Sequence, residues 1–334
     1  MIINIKKAIL HILDANSGLS VYSQDLLDIT DTTVLSYICD HINKVCNDPS
    51  LRSGDFKESS GFLYNITQYK AGELSFEKFS ACIAEKLYTL IGESDSITSS
   101  DLIICECNIS EVPTIAIMKC DNKIGFVHQV TQNGEKVKNE IINHYAIMPS
   151  ASQRFSEYAF INLDNFLIKY KPKKISVEGE KIDLLADGLL ECDFDYSTKE
   201  SFNTIRKLAK KVTQEYAGNE IDTEAKIKKY VKDTAIVSEN IAVSEVAEAV
   251  FDNSPSAREE FVEKAKKAEI PENIPMNDYV TKRINKNIKI VTDTGVEISF
   301  PAEFYKDDEN IFIINNDDGS FSIQINNIGQ IINK

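Results

Sequence analysis

The densest hydrophobic pattern in the chain lies between Asp101 and Ile168. Short apolar runs rich in β-branched residues alternate there with polar, Gly or Pro residues, and they read DLIICEC, PTIAIMKC, KIGFVHQV and, after a gap, PSASQRFSEYAFINLDNFLI. Runs of this kind are typical of β-strands, and the first three predict an antiparallel meander. In PTIAIMKC, Ile115 and Ile117 share one face while Ala116 and Met118 share the other, so we expect a sheet covered on both sides.

The segments around this sheet alternate between strand and helix patterns. A strand is predicted over residues 1–14, and apolar residues at helical spacing predict helices over 34–45 and 76–90, capped by Thr30 or Asp31 and by Ser75. Residues 47–60 are expected to form a polar loop. A short helix is predicted over 137–145, and a strand pair over 175–185.

The pattern changes after residue 195. Ser197 and Glu200 form a capping box before a helix whose apolar face includes Phe202 and Ile205. Further helices are predicted over 226–232 and 244–251, and another begins after Ser254. Beyond PENIPMN, two hairpins are predicted around Asp293–Gly295 and Asp317–Gly319.

These elements predict an α+β fold. We expect a central, mainly antiparallel sheet with the N-terminal helices on it, followed by a helical C-terminal segment and a small β-rich end. The expected division is an N-terminal α+β domain over 1–195 and a second domain over 196–334.

Composition places the chain among ordinary globular proteins, with 43% hydrophobic and 27% charged residues. No run reaches the roughly 18 apolar residues of a membrane helix. Lys6, Lys7 and His11 interrupt the N-terminal apolar stretch, so we expect no signal peptide and a cytoplasmic protein without membrane contact. Seven cysteines without a C-x-x-C spacing are expected to be reduced and mostly buried.

No sequence motif points to catalysis. The four histidines lie outside any ligand spacing, and we expect them to be hydrogen-bonded structural residues. The D-T-G tripeptide at Asp293 and the acidic run before Gly319 fit turn chemistry better than a protease dyad or a calcium loop. We therefore expect no catalytic residues, no metal and no cofactor.

Charge gives the main functional clue. The net charge is −15, which opposes the approach of nucleic acid. Residues 1–150 hold 12 Lys and Arg against 19 Asp and Glu, whereas residues 201–290 hold 16 against 15. Any basic surface must therefore be local. The lysine clusters either line a common face for phosphates or are solvated helix faces balanced by nearby Glu.

The candidate DNA-binding cations share one property, which is that they occur in clusters along the second half of the chain. They are Lys169, Lys171, Lys173, Lys174, Arg206, Lys207, Lys210, Lys211, Lys226, Lys228, Lys229, Lys282, Arg283, Lys286 and Lys289.

Four segments occur in an order and spacing that resemble the bacterial 37-kDa nucleoid-associated protein family. They are HILD at 11–14, DLIICE at 101–106, AIMPSASQRFSEYAFINLDNFLI at 146–168 and DDGSFSIQINNI at 317–328. The stretch Pro149–Gln153 is the most distinctive. The resemblance covers the whole chain and implies a soluble cytoplasmic protein of the nucleoid, dimeric and without catalytic residues.

Two functions follow as hypotheses. In the first, the protein binds double-stranded DNA without sequence specificity through local basic helices. In the second, it is a non-enzymatic adaptor that binds a DNA-acting protein such as a topoisomerase. The acidic N-terminal half would then meet a basic partner surface.

Overall fold

The computed structural model describes residues 2–15, 18–134, 136–277, 280–281, 287–301, 310–316 and 320–330. The chain divides into two compact units, Met1–Asp195 and Tyr196–Lys334. Each unit has its own hydrophobic core.

Unit 1 contains twelve described strands, three α-helices and one π-helix. The strands are β1 (Ile3–Asp14), β2 (Leu19–Val21), β3 (Arg52–Phe56), β4 (Ser100–Ile109), β5 (Val112–Asp121), β6 (Lys123–Asn133), β7 (Lys136–Ile147), β8 (Glu157–Asn162), β9 (Ile168–Tyr170), β10 (Lys174–Val177), β11 (Glu180–Asp183) and β12 (Cys192–Asp195). The helices are α1 (Thr32–Val45), α2 (Gly61–Lys70), α3 (Phe76–Gly92) and the π-helix (Leu184–Leu190).

An eight-stranded sheet forms the centre of unit 1, in the order β12-β3-β9-β8-β5-β4-β1-β2. Every neighbouring pair in it is antiparallel. One face, which includes Ile115 and Ile117, packs against α2, α3 and the π-helix. The other face, which includes Ala116 and Met118, packs against α1. The α+β fold and the sheet covered on both sides are thus confirmed.

Two helices of unit 1 begin at polar residues whose side chains cap the helix, as the sequence predicts. Asp31 accepts a hydrogen bond from the Thr33 amide at 2.7 Å and starts α1. Ser75 does the same for α3 through the Lys78 amide at 3.3 Å. These bonds satisfy backbone donors that have no partner within the helix.

Two predictions in the middle of unit 1 are wrong. KIGFVHQV forms β6, which pairs with β7 in a separate two-stranded sheet, so β5 takes β8 as its neighbour in the central sheet. The helix expected over 137–145 is part of β7. Val137 and Ile141 have helical spacing, but β-branched residues and continuous pairing with β6 favour the extended conformation.

The segment 47–60, expected to be a loop, contains the short strand β3. The strand pair expected over 175–185 is the hairpin β10–β11, with Glu178 and Gly179 both at positive φ in its turn. All seven cysteines lie in the described part of the chain, and each is a free thiol.

The described elements of unit 2 include four α-helices and six strands. They are α4 (Thr198–Glu215), α5 (Glu220–Val237), α6 (Val243–Val250), α7 (Pro255–Lys267), β13 (Asn240–Ala242), β14 (Asn273–Pro275), β15 (Ile288–Val291), β16 (Glu297–Phe300), β17 (Ile311–Asn315) and β18 (Phe321–Ile325). The four helices share one core. The side chains of Ile288, Phe300 and Ile311 pack with Ala225 of α5.

The local predictions for unit 2 are confirmed where the structure describes them. The capping box of Ser197 and Glu200 starts α4, and Ser254 caps α7 with Pro255 in the first turn. β15 and β16 form the hairpin around Asp293–Gly295, with Gly295 at a φ of 85°. β17 pairs with β18, while the predicted turn residues 317–319 lie outside the described residues.

Candidate nucleic-acid interface

Three lysines lie together on the outer surface of α4. Lys207, Lys210 and Lys211 are three or four residues apart, so their side chains share one side of the helix. The opposite side of α4 is fixed by burial of Phe202 and Ile205 in the core of unit 2. In the described part of the chain, no Asp or Glu forms an ion pair with any of these three lysines.

Arg206 lies beside these lysines, but its guanidinium is already engaged. It donates from Nε to Oε2 of Glu224 at 3.2 Å and from an Nη atom to Oε1 of the same carboxylate. Glu224 lies on α5 and is buried, so this two-bond ion pair holds α4 against α5. Arg206 therefore orients the helix and has little charge to offer a ligand.

Lys228 of α5 extends the positive surface of α4. Its Nζ donates to the carbonyl of Asn287 at 3.2 Å. Burial lowers the pKa of Lys228; the charge of Glu224 opposes this effect, and the positive charges of Arg206 and Lys210 add to it. Those interactions require Lys228 to lie near Arg206 and Lys210. We define Lys207, Lys210, Lys211 and Lys228 as the α4–α5 basic face.

Several other predicted cations of unit 2 are neutralised by nearby carboxylates. Lys226 contacts Asp252 at 2.7 Å and Asp222 at 3.8 Å, and Lys289 contacts Glu297 at 2.8 Å across the β15–β16 hairpin. Lys229 is exposed on α5. Lys282, Arg283 and Lys286 lie outside the described residues.

The predicted lysine cluster of unit 1, residues 169–174, also contains both exposed lysines and lysines bound to other side chains. Lys169 and Lys174 are exposed. Lys171 donates to the Ser50 hydroxyl. Lys173 pairs with Asp121 at 3.0 Å and with Glu157. Within unit 1, two of these four lysines thus serve the fold.

The sequence reasoning missed a buried charge network around Lys173. Lys119 and Glu157 are almost fully buried and face each other across β5 and β8. Asp121 joins them: burial alone would raise its pKa, but the charges of Lys119 and Lys173 outweigh burial and lower it. Lys119 could have been noticed as the one charged residue inside an apolar strand. The network fixes the pairing of β5 with β8, since separating the partners would leave buried charges unpaired.

The segment Pro149–Gln153, singled out in the sequence as distinctive, is held onto α1 by hydrogen bonds. The Tyr37 hydroxyl donates to the Pro149 carbonyl at 2.9 Å, and Lys44 donates to the Ala151 carbonyl. Next to the segment, Arg154 contacts the buried carboxylate of Asp48 at 3.0 Å. These contacts give the segment a structural role, which is to attach the chain before β8 to α1.

The described residues also contain little that suggests metal chemistry. Among them, no group of three or more His, Cys, Asp or Glu side chains is placed to hold a metal ion. His11 is buried and hydrogen-bonded on both ring nitrogens, to Ser80 and to the Ser23 amide, as expected for a structural residue. No helix in the described part of the chain is both long and apolar enough to cross a bilayer.

Comparison with known protein families identifies the class to which the chain belongs. The chain belongs to the class of nucleoid-associated proteins, because a family model of such proteins matches residues 9–332, nearly the whole chain. The chain belongs to the family described as nucleoid-associated protein YejK (NA37). The resemblance drawn from the sequence is thereby confirmed. A search of curated proteins found no match to the chain.

Proposed function

We propose that the protein binds double-stranded DNA through the phosphate backbone, without reading base sequence, and that the α4–α5 basic face makes the contact. The observation that carries this proposal is the group of three adjacent α4 lysines without a carboxylate partner among the described residues. An ammonium group that is not neutralised by the protein can neutralise a phosphate and release counterions.

The chemistry of this face favours phosphate contact over base recognition. Bidentate recognition of guanine uses the planar fork of Arg most often. The fork of Arg206 is occupied by Glu224. The lysines that are left present compact point charges, which suit phosphate oxygens and carry no sequence information when bound to them.

The local charge balance makes such contact compatible with the net charge of −15. Residues 201–290 hold 16 Lys and Arg against 15 Asp and Glu, so the repulsion of DNA is weakest around α4 and α5. At moderate ionic strength, charges farther away than about 10 Å are largely screened. A small basic face can therefore attract a polyanion to an acidic protein.

The test is a substitution of the three α4 lysines, Lys207→Gln, Lys210→Gln and Lys211→Gln, in the full chain. Fluorescence anisotropy with a mixed-sequence duplex at low salt should show a loss of affinity of at least about tenfold. The matched control is Lys264→Gln, Lys266→Gln and Lys267→Gln on α7, which removes the same charge from the same unit.

Equal effects of the two triple variants would contradict the assignment of the site to α4. A wild-type protein that retains no duplex at low salt would contradict DNA binding itself.

The acidic balance of residues 1–150 favours a second candidate, a non-enzymatic adaptor that docks onto a basic surface of a DNA-acting protein. Pull-down from lysate treated with nuclease separates the candidates. A partner held directly stays bound after the DNA is removed, whereas one held only through DNA is lost.

A further inference from the structure

A cavity of about 290 Å³ lies at one end of the central sheet of unit 1. Its walls come from the end of β5, the start of β8, the loop between α3 and β4, and the segment that leads into β10. A water molecule occupies about 30 Å³ in the liquid, so the cavity has room for a ligand of about ten non-hydrogen atoms. This size lies at the lower end of the range of small-molecule sites.

The wall formed by β5 is charged, although most of this strand is apolar. Ile115 and Ile117 pack in the core beside α3. Side chains alternate along a strand, so Lys119 and Asp121 lie on that same side. Glu157 of β8 is directly opposite Lys119, and both side chains are almost fully buried. Apolar side chains of similar volume are often at least as stabilising as a buried ion pair, so charges kept at a cavity wall indicate a binding site.

Four of these charges form a closed ring in which ammonium and carboxylate groups alternate. Lys119 contacts Asp121 at 2.5 Å and Glu157 at 3.4 Å. Lys173 contacts the same two carboxylates, Asp121 at 3.0 Å and Glu157. The side chain of Lys173 is 38% exposed and lines the cavity. An ammonium group has three N–H donors, so Lys173 keeps one donor for a further acceptor.

The other free polar groups of the cavity wall are also hydrogen-bond donors. Lys174 lines the cavity beside Lys173, is exposed, and forms no ion pair with a described residue. The hydroxyl groups of Ser96 and Thr98 line the cavity as well and have no partner among the described residues. Among those residues, three lysines and two carboxylates line the cavity, which gives a local charge of +1 in a chain whose net charge is −15. The wall therefore suits an anion with several oxygen acceptors.

Hydrogen bonds hold the two outer walls of the cavity together. The Asp95 amide, in the loop after α3, donates to the Ser176 carbonyl of β10 at 2.8 Å. The Ser176 hydroxyl donates in return to the Asp95 carboxylate at 2.5 Å, and this carboxylate does not line the cavity. At the other end of the wall, the Leu184 amide donates to the Lys173 carbonyl at 2.9 Å. The donors of the cavity are thus positioned before a ligand arrives, which reduces the entropic cost of binding.

We propose that this cavity binds a small phosphate monoester. A phosphate monoester carries a charge of about −1.5 to −2 at neutral pH and three strong acceptor oxygens, which match the free donors of Lys173, Lys174 and Thr98. Lysine binds phosphate as a point charge. The phosphate group fills about half of the cavity, and the esterified carbon chain packs against Ile91 and Ile175 in the rest. This site is independent of the DNA contact proposed for unit 2.

Isothermal titration calorimetry on the full chain at constant ionic strength tests this proposal, with glycerol phosphate as the probe. A ligand of about ten non-hydrogen atoms is expected to bind with a Kd of about 0.1–1 mM. Lys174→Gln removes a cation from the wall, and Thr98→Leu removes a donor and fills part of the cavity; each should raise the Kd about tenfold or more. Lys169→Gln is the matched control: it removes the same charge from an exposed position of β9 outside the cavity and should leave the Kd unchanged.

Circular dichroism should give the same spectrum for all three variants, since none of the three positions belongs to the core clusters of unit 1. A wild-type protein that does not bind glycerol phosphate at about 10 mM would overturn the proposal. So would a Kd that Lys169→Gln raises as much as Lys174→Gln, because binding would then follow the total charge of the chain. Succinate that binds as tightly as glycerol phosphate would overturn the assignment to phosphate.

Discussion

His11 shows how one side chain links the edge of the central sheet to a helix. The Ser23 amide donates to Nδ1 at 3.1 Å, so Nδ1 must be unprotonated and Nε2 carries the hydrogen. Nε2 then donates to the Ser80 hydroxyl at 3.0 Å, and this hydroxyl donates to the Glu77 carbonyl at 2.9 Å. The chain of bonds requires a neutral imidazole.

This arrangement predicts a pH-dependent stability. Burial lowers the pKa of His11 from 6.5 to about 4. The unfolded chain binds the proton more readily, so the contribution of His11 is complete above pH 6.5 and is lost as the pH falls towards 4. Its size is about 2–3 kcal/mol. Urea unfolding of His11→Gln, followed by circular dichroism, should show a correspondingly smaller decrease in stability between these pH values.

His144→Gln is the control, because His144 is exposed on β7. Its pH profile should match that of the wild-type protein. If the profile of His11→Gln also matches, the proposed neutral state of His11 is wrong.

At the scale of single elements, α4 depends on its N-terminal cap. The Ser197 hydroxyl accepts from the Glu200 amide at 3.2 Å, and the Glu200 carboxylate accepts from the Ser197 amide at 3.1 Å. This box fixes the first turn of the helix that presents Lys207, Lys210 and Lys211.

Ser197→Ala is expected to destabilise unit 2 by about 1 kcal/mol, because the first turn of α4 loses its side-chain acceptor. Thermal or urea unfolding measures the change. Ser256→Ala, at an exposed position of α7 that makes no cap, should change stability by less than about 0.5 kcal/mol. Equal effects of the two substitutions would show that the box does not stabilise α4.

Local signals allowed many elements to be predicted from the sequence. The caps at Ser75, Ser197 and Ser254 were correctly identified because capping depends on residues within one turn, and Asp31 was one of the two residues predicted to cap α1. The strand pattern of PTIAIMKC also specified both faces of β5.

The errors occurred where non-local pairing decides the structure. KIGFVHQV has the same hydrophobic pattern as the strands of the central sheet. It lies outside that sheet because it pairs with β7, and this pairing is not visible in its local sequence. The site was harder to predict than the fold, since neutralisation of Lys226 by Asp252 or of Lys289 by Glu297 depends on side chains that folding brings together.

At the scale of the whole molecule, this acidic chain of the nucleoid-associated protein YejK family carries three adjacent α4 lysines, Lys207, Lys210 and Lys211, that form no ion pair with a carboxylate among the described residues. Folding pairs Arg206 with Glu224 and, by doing so, positions α4 against α5. The proposed contact with a phosphate backbone is through the α4–α5 basic face. Because this face is small, the proposal predicts weak binding to DNA that depends strongly on salt.

The salt dependence of DNA affinity tests this account most directly. For a mixed-sequence duplex, the logarithm of the association constant should fall linearly with the logarithm of the salt concentration, with a slope of about −3. This value corresponds to about three phosphates neutralised by the three α4 lysines. The α4 triple variant should lose most of this slope. A slope near zero for the wild-type protein, or an unchanged slope in the variant, would contradict phosphate binding by the α4–α5 basic face.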